Sequence, residues 1–116
     1  MKQIEINGKK YDLHFGLDFI REMDKRYEAK GNGLTFGMGI QSAVLYLKDF
    51  NPVVLADIIL SATHTLKTIP SLVDIEAWIE EQGDNLEKTF DDFLSALKTA
   101  PMTKLKVTKT LEETGL

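Results

Sequence analysis

The residues with the strongest claim to metal or acid–base chemistry are two histidines and one aspartate. His14 falls in a strand-like segment, and His64 lies seven residues after Asp57 in an apolar run. Seven residues are about two helical turns, so Asp57 and His64 would share one side of a helix. These are too few ligands, because zinc sites use three or four protein ligands and the chain has no cysteine. We therefore expect the histidines to lie on the surface or in ordinary hydrogen bonds.

Other residues that catalyse reactions or bind phosphate are present without the neighbours that those functions require. No G-x-S-x-G motif frames any of the serines, which are Ser42, Ser61, Ser71 and Ser95. Two glycine-rich segments, residues 31–33 and 37–39, lack the G-x-x-x-x-G-K pattern of a phosphate-binding loop. The acidic residues lack the alternation of a calcium-binding loop. The sequence therefore predicts no catalytic, cofactor-binding or metal-binding residue, and we do not expect an enzyme.

Charge is unevenly distributed along the chain. The formal net charge is −4, which argues against non-specific binding to nucleic acid. Between Ser71 and Leu94, eight acidic side chains accompany a single basic one, Lys88. This block is either the solvated face of two helices or a docking face for a basic partner segment. The N-terminus lacks the apolar core of a signal peptide, and the longest apolar run is shorter than the roughly 20 residues of a membrane span. We expect a cytoplasmic protein with no membrane partner.

The element expected to position the rest is a buried helix over residues 52–66. The run from Asn51 to Leu66 is the most apolar in the chain. Asn51 followed by Pro52 suits the start of a helix, because the asparagine can accept from free N–H groups and proline needs no donor there. Its apolar residues cover most of the helical circumference, which predicts contacts on several sides.

A β-hairpin is predicted at the N-terminus, over residues 2–15. Asn7-Gly8 is the strongest short hairpin signal, since both turn residues need positive φ. A two-residue turn places Ile4 opposite Tyr11 and Glu5 opposite Lys10. One face would then be apolar and would have to pack on helices, because an isolated hairpin is only marginally stable.

Apolar residues at three- and four-residue spacing predict four more helices, at 17–28, 37–49, 71–82 and 85–99. Ser71 with Asp74 resembles a capping box at the start of the third of these. Residues 30–33 are expected to form a loop. The expected inward positions of the first three helices are Leu17, Ile20, Met23 and Tyr27; Ile40, Ala43, Val44 and Leu47; and Leu72, Ile75, Trp78 and Ile79.

After Pro101 the apolar and polar residues alternate. The segment is compatible with an edge strand, an extended tail or a segment that becomes ordered on a partner.

We predict a mainly α (α+β) fold with one globular domain over residues 1–100. In that domain the hairpin packs on a bundle of about five helices, and residues 101–116 form an extended C-terminal tail.

Four segments in fixed order carry a family resemblance. They are IEINGKKYDLHFGLDFIREMDKRY, GLTFGMGI, NPVVLADIILSATHTLK and PSLVDIEAWIEE. In this order they resemble the tail assembly chaperones of long-tailed siphoviruses and of related prophages in Gram-positive bacteria. The resemblance covers roughly residues 2–100.

The resemblance implies a non-enzymatic function. Such proteins bind the tape measure protein and keep it soluble, help to recruit tail tube subunits, and are absent from the mature virion. Many are made in two lengths through a translational frameshift, and this chain is similar to the short form. The resemblance also implies the host cytoplasm as the location. The alternative is a small homo-oligomeric adaptor or regulatory protein of phage or bacterial origin.

A chaperone for an amphipathic client needs apolar surface that folding leaves uncovered. Two sets of residues are candidates for this partner-binding surface. The first lies on the glycine-rich turn, where flexibility and a methionine would suit an adaptable contact. The second lies after Pro101. The sets are Leu34, Phe36 and Met38, and Leu105, Val107 and Leu111. In the alternative interpretation, each set folds back onto the core.

Overall fold

A computed structural model describes residues 3–116 of the protein. The described chain is mainly helical and carries two antiparallel hairpins. In chain order its elements are β1 Gln3–Ile6, β2 Lys9–Asp12, α1 Leu17–Arg26, β3 Glu28–Gly31, β4 Leu34–Gly37, α2 Gly39–Lys48, α3 Val53–Thr63, α4 Leu72–Glu81, a short 3-10 helix Gly83–Asn85, α5 Leu86–Thr99 and α6 Lys104–Thr114.

The N-terminal hairpin has the predicted turn and register. Ile4 pairs with Tyr11 and Glu5 with Lys10. Asn7 and Gly8 have φ values of 52° and 75°, as a two-residue turn of this type requires. The apolar face, formed by Ile4, Ile6, Tyr11 and Leu13, is buried in the core. Residue 2, the expected first residue of the hairpin, lies outside the described residues.

Helix α3 forms the centre of the core, as its composition predicts. Val54, Leu55, Ile58 and Ile59 are fully buried, and α1, α2 and α4 all contact this helix. The side chain of Asn51 accepts a hydrogen bond from the backbone N–H of Val53 at 3.1 Å, so it satisfies one donor of the first turn. The helix ends at Thr63, three residues before the expected end.

Two residues expected to face the core are exposed instead. Leu17 lies two residues before the buried Phe19, and two residues rotate a helix by about 200°, so Leu17 points away from the Phe19–Met23 stripe. Leu72 lies in the first turn of α4, before the buried Ile75, and it lines a surface groove rather than the core.

The predicted loop at residues 30–33 is confirmed only at Asn32 and Gly33, which form a turn, and is wrong at Lys30 and Gly31, which belong to β3. These residues contribute to a second hairpin, in which β3 and β4 pair around Asn32-Gly33. Asn32 and Gly33 have φ values of 52° and 75°, the same as in the first hairpin turn. The sequence signal was therefore present, but Gly31 before the turn and Gly37 at the end of β4 obscured the alternation that predicts strands.

The predicted extended tail after Pro101 is also wrong, and the bundle has six α-helices over residues 3–116 rather than about five. Helix α6 packs against α2 and α5. At its start, the buried hydroxyl of Thr103 donates to the carbonyl of Leu97 at 2.5 Å. At its end, Gly115 adopts the left-handed conformation (φ 71°), and the N–H of Leu116 bonds to the carbonyl of Leu111. This glycine is a common helix C-terminal signal.

Candidate partner-binding surfaces

The second hairpin has one apolar and one polar face. Its register pairs Ala29 with Phe36 and Gly31 with Leu34. These two pairs alternate with Glu28–Gly37 and Lys30–Thr35, so they project from the same side of the sheet. We call the side formed by Ala29, Gly31, Leu34 and Phe36 the arm face.

The arm face is uncovered. All eight strand residues of this hairpin are exposed, with Leu34 at 59% and Phe36 at 52% of their full accessibility. The first hairpin has the same strand lengths and the same Asn-Gly turn, yet its apolar face lies in the core. The two hairpins therefore share their strand lengths and turn but differ in whether their apolar faces are covered.

The base of the second hairpin is fixed to α1. The N–H of Met38 donates to the carbonyl of Tyr27, the residue that connects α1 to β3, at 2.6 Å. One residue later, the N–H of Gly39 donates to the Asp24 carboxylate at 2.9 Å, so this side chain satisfies a free donor at the start of α2. The glycines expected to supply flexibility instead allow close packing, because a Cβ on Gly37 or Gly39 would lie within 2.7 Å of atoms of α1.

The first candidate set thus divides by exposure. Leu34 and Phe36 lie on the arm face, and Met38 is half-buried at the base of the hairpin. Their contact with a partner stays a prediction. Ala29 was missed by the sequence analysis, although its spacing across the Asn32-Gly33 turn places it beside Phe36.

The second candidate set lies on α6 and does not form one surface. Leu105 is 70% exposed, whereas Val107 is fully buried and Leu111 packs partly against the core. The alternation that placed the three on one side applies to a strand and not to a helix, in which neighbours two apart face different directions. Of the three, only Leu105 is largely exposed, and the role of the set in binding also stays a prediction.

Asp57 takes part in a structural hydrogen bond. The hydroxyl of Tyr27 donates to its carboxylate at 2.5 Å, and Nε of Arg26 lies 3.8 Å from it. Burial, together with this bond to Asp57, raises the pKa of Tyr27 above its ordinary range.

His64 is exposed at the end of α3. Within residues 3–116, no three His, Asp or Glu residues are grouped so that they could hold a metal ion.

A second surface feature is a groove between α3 and α4, which we call the α3–α4 groove. It has a volume of about 340 Å³. Its apolar lining includes Val53, which is 66% exposed, and Leu72. Three carboxylates also line it, those of Asp57, Glu76 and Glu80. The groove therefore combines uncovered apolar surface with negative charge.

Glu76 and Glu80 belong to the acidic block identified in the sequence. Over residues 3–116, neither has an ion-pair partner, whereas Asp57 lies beside Arg26. The block alone did not identify the groove, because its apolar residues come from both α3 and α4. Only packing of the two helices places Val53 and Leu72 in the same groove.

The comparison with protein families decides the identity. Residues 3–112 match the family described as phage tail assembly chaperone protein. The chain belongs to this family. The match extends beyond the segments that carry the resemblance and includes most of α6 of the tail assembly chaperone. No curated protein and no solved structure matches the chain.

None of the helices between residues 3 and 116 combines the length and apolar character that a bilayer span requires. The longest is α5, with 14 residues.

Proposed function

We propose that this tail assembly chaperone binds the tape measure protein, keeps it soluble and helps to recruit tail tube subunits during tail assembly. It acts without catalysis in the cytoplasm of the host cell and leaves before the virion is complete. The family match supports a role in tail assembly. The identity of the two partners rests on the resemblance stated above.

The observation that carries the proposal is the uncovered arm face. Leu34 and Phe36 are large apolar side chains that folding leaves in water, although the apolar face of the N-terminal hairpin is buried in the core. A client with a long helical, partly apolar body would lose exposed apolar area on this face, and such burial contributes about 25 cal/mol per Å². The contacts of Asp24 with Gly39 anchor the base of the hairpin to α1 and limit the orientations of the folded hairpin, which lowers the entropic cost of association.

The test is co-expression of the full chain with a tape measure segment, followed by measurement of the soluble complex. Replacing both Leu34 and Phe36 with alanine should reduce capture at least tenfold while leaving the melting temperature nearly unchanged, since both side chains are exposed. The matched control replaces Leu17 and Ile69, which are exposed elsewhere, with alanine. Undiminished capture by the Leu34 and Phe36 variant would reject the arm face as the client site.

The arm face also fits the second candidate, an adaptor that binds further copies of itself. Light scattering with and without the co-expressed tape measure segment separates the two functions. A chaperone forms a mixed complex of increased mass with the segment. An adaptor forms an oligomer whose mass the segment does not change.

A further inference from the structure

We propose that the α3–α4 groove binds an amphipathic helical segment that carries lysine or arginine beside its apolar face. This binding site would extend the proposed function. It rests on that function, because the segment is assigned to a tail protein. It concerns a surface separate from the arm face, so this chaperone would contact its partners at two places.

The apolar part of the groove specifies an apolar side on the partner. Val53 and Leu72 form its exposed sides, and Ala56 and Ile79 are nearly buried at its floor. A groove between two helices is a common site for a third helix, which binds through apolar residues at positions i, i+3 or i+4, and i+7.

The charges around the groove specify the sign of the charge that a partner must carry. Glu76 and Glu80 occupy successive turns of α4, so their carboxylates lie along the same side of the groove. Among the described residues neither is neutralised by an ion pair. A partner with acidic residues at these positions would be repelled, whereas lysine or arginine beside the apolar face would pair with both glutamates.

The basic end of this chain does not supply the required segment. Leu105 on α6 is exposed and has lysine neighbours, which makes a second copy of the chain the main competing occupant. The residues three, four and seven positions after Leu105 are, however, polar: Thr108, Lys109 and Glu112. The apolar side of α6 is used inside the fold, where Val107 is buried. Helix α6 therefore offers Leu105 as an apolar anchor, with the exposed Met102 in the turn before the helix, and a helix in a groove needs several anchors along its length.

The experiment measures binding of the full chain to overlapping synthetic peptides that tile the tape measure and tail tube proteins of the same phage. We expect at least one peptide with the stated apolar spacing and flanking lysine or arginine to bind. Replacement of Glu76 and Glu80 by lysine should lower the affinity for that peptide about tenfold or more. The loss of affinity should be larger at low salt, where charges are screened less. The same variant should gain affinity for the peptide in which the basic residues are changed to glutamate.

Two matched controls isolate the groove. Replacing Glu81 and Asp91 with lysine changes the net charge equally at exposed sites that do not line the groove. Leu17→Asp and Val53→Asp both place an acid on an exposed first residue of a helix, and only Val53 lines the groove. The Glu81 and Asp91 variant and Leu17→Asp should bind the peptide as tightly as the unmodified chain does. Val53→Asp, the test variant, should bind it much more weakly.

Three results would overturn the proposal. One is that no basic amphipathic peptide binds, and another is that binding is equally affected by the control variants. The third is that light scattering shows a self-associated chain that Val53→Asp dissociates, which would assign the groove to a second copy. Failure of tape measure capture by the Leu34 and Phe36 variant is a separate outcome, because that variant leaves the groove intact.

Discussion

At the scale of single residues, the connection between β4 and α2 is determined by how closely it approaches α1. A Cβ on Gly39 would lie 2.6 Å from the backbone carbonyl carbon of Met23, and one on Gly37 would lie 2.4 Å from the Asp24 side chain. Absence of side chains at these positions brings the start of α2 within reach of the Asp24 carboxylate. The two glycines therefore allow close packing and a hydrogen bond at the base of the second hairpin.

Gly39→Ala is expected to destabilise the protein by about 1–2 kcal/mol. Overpacking against a backbone costs about 1–3 kcal/mol, and alanine recovers at most about 1 kcal/mol through its higher helix propensity. Urea unfolding followed by circular dichroism measures the difference. Gly31→Ala is the control, because its Cβ would meet no atom within 4 Å and its φ is not in the left-handed region. Equal stability of the two variants would contradict the close packing.

At the scale of elements, the segment after Pro101 shows how one pattern can suit two structures. Its alternation resembles a strand, yet Val107 and Thr110 are buried three residues apart, a helical spacing. Contacts with α2 and α5 decide between the two, since they give the helix an apolar surface on which to pack. Helix stability in proteins comes mostly from such packing and less from propensity.

Val107→Ala is expected to lower the free energy of unfolding by about 2 kcal/mol. The substitution removes two methyl groups from a fully buried site and leaves a small cavity. Leu105→Ala, two residues earlier on the same helix and 70% exposed, should change stability by less than about 0.5 kcal/mol. Thermal or denaturant unfolding of both variants gives the comparison. If both changes were negligible, α6 would not be part of the folded core.

At the scale of the whole molecule, two hairpins of the same design have different surroundings. The first contributes four residues to the core and bonds to α3 through the N–H of His14 and the carbonyl of Ala62 at 2.9 Å. The second is joined to the rest mainly at its base and has no buried strand residue. A two-stranded sheet that packs against nothing on either face is only marginally stable. The second hairpin should therefore open without global unfolding.

Amide hydrogen exchange should distinguish the two hairpins. We expect protection factors in β3 and β4 to be at least about a hundredfold lower than in β1 and β2, a difference of about 2.7 kcal/mol in opening free energy. Binding of a client on the arm face should raise protection in β3 and β4 alone. Equal protection of both hairpins in the free protein would show that the arm face is already covered in solution.

Much of the fold follows from local signals in the sequence. Asn7-Gly8 and the alternation around it specify the first hairpin and its register, and Ser71 caps α4 by accepting from the N–H of Asp74 at 3.1 Å. The apolar run around Ile58 specifies a buried helix because its side chains cover most of the helical circumference. These features depend on residues close in sequence, so they can be predicted without knowing the tertiary structure.

The candidate surfaces follow less directly. The sequence determined that Leu34 and Phe36 are apolar and that Glu76 and Glu80 are negative, and the turn at Asn32-Gly33 carried a hairpin signal. Only the tertiary structure decided that nothing covers the arm face, that α6 folds onto the bundle, and that Val53 and Leu72 line one groove. Whether an apolar side chain is buried depends on what packs against it, and those partners are distant in the chain.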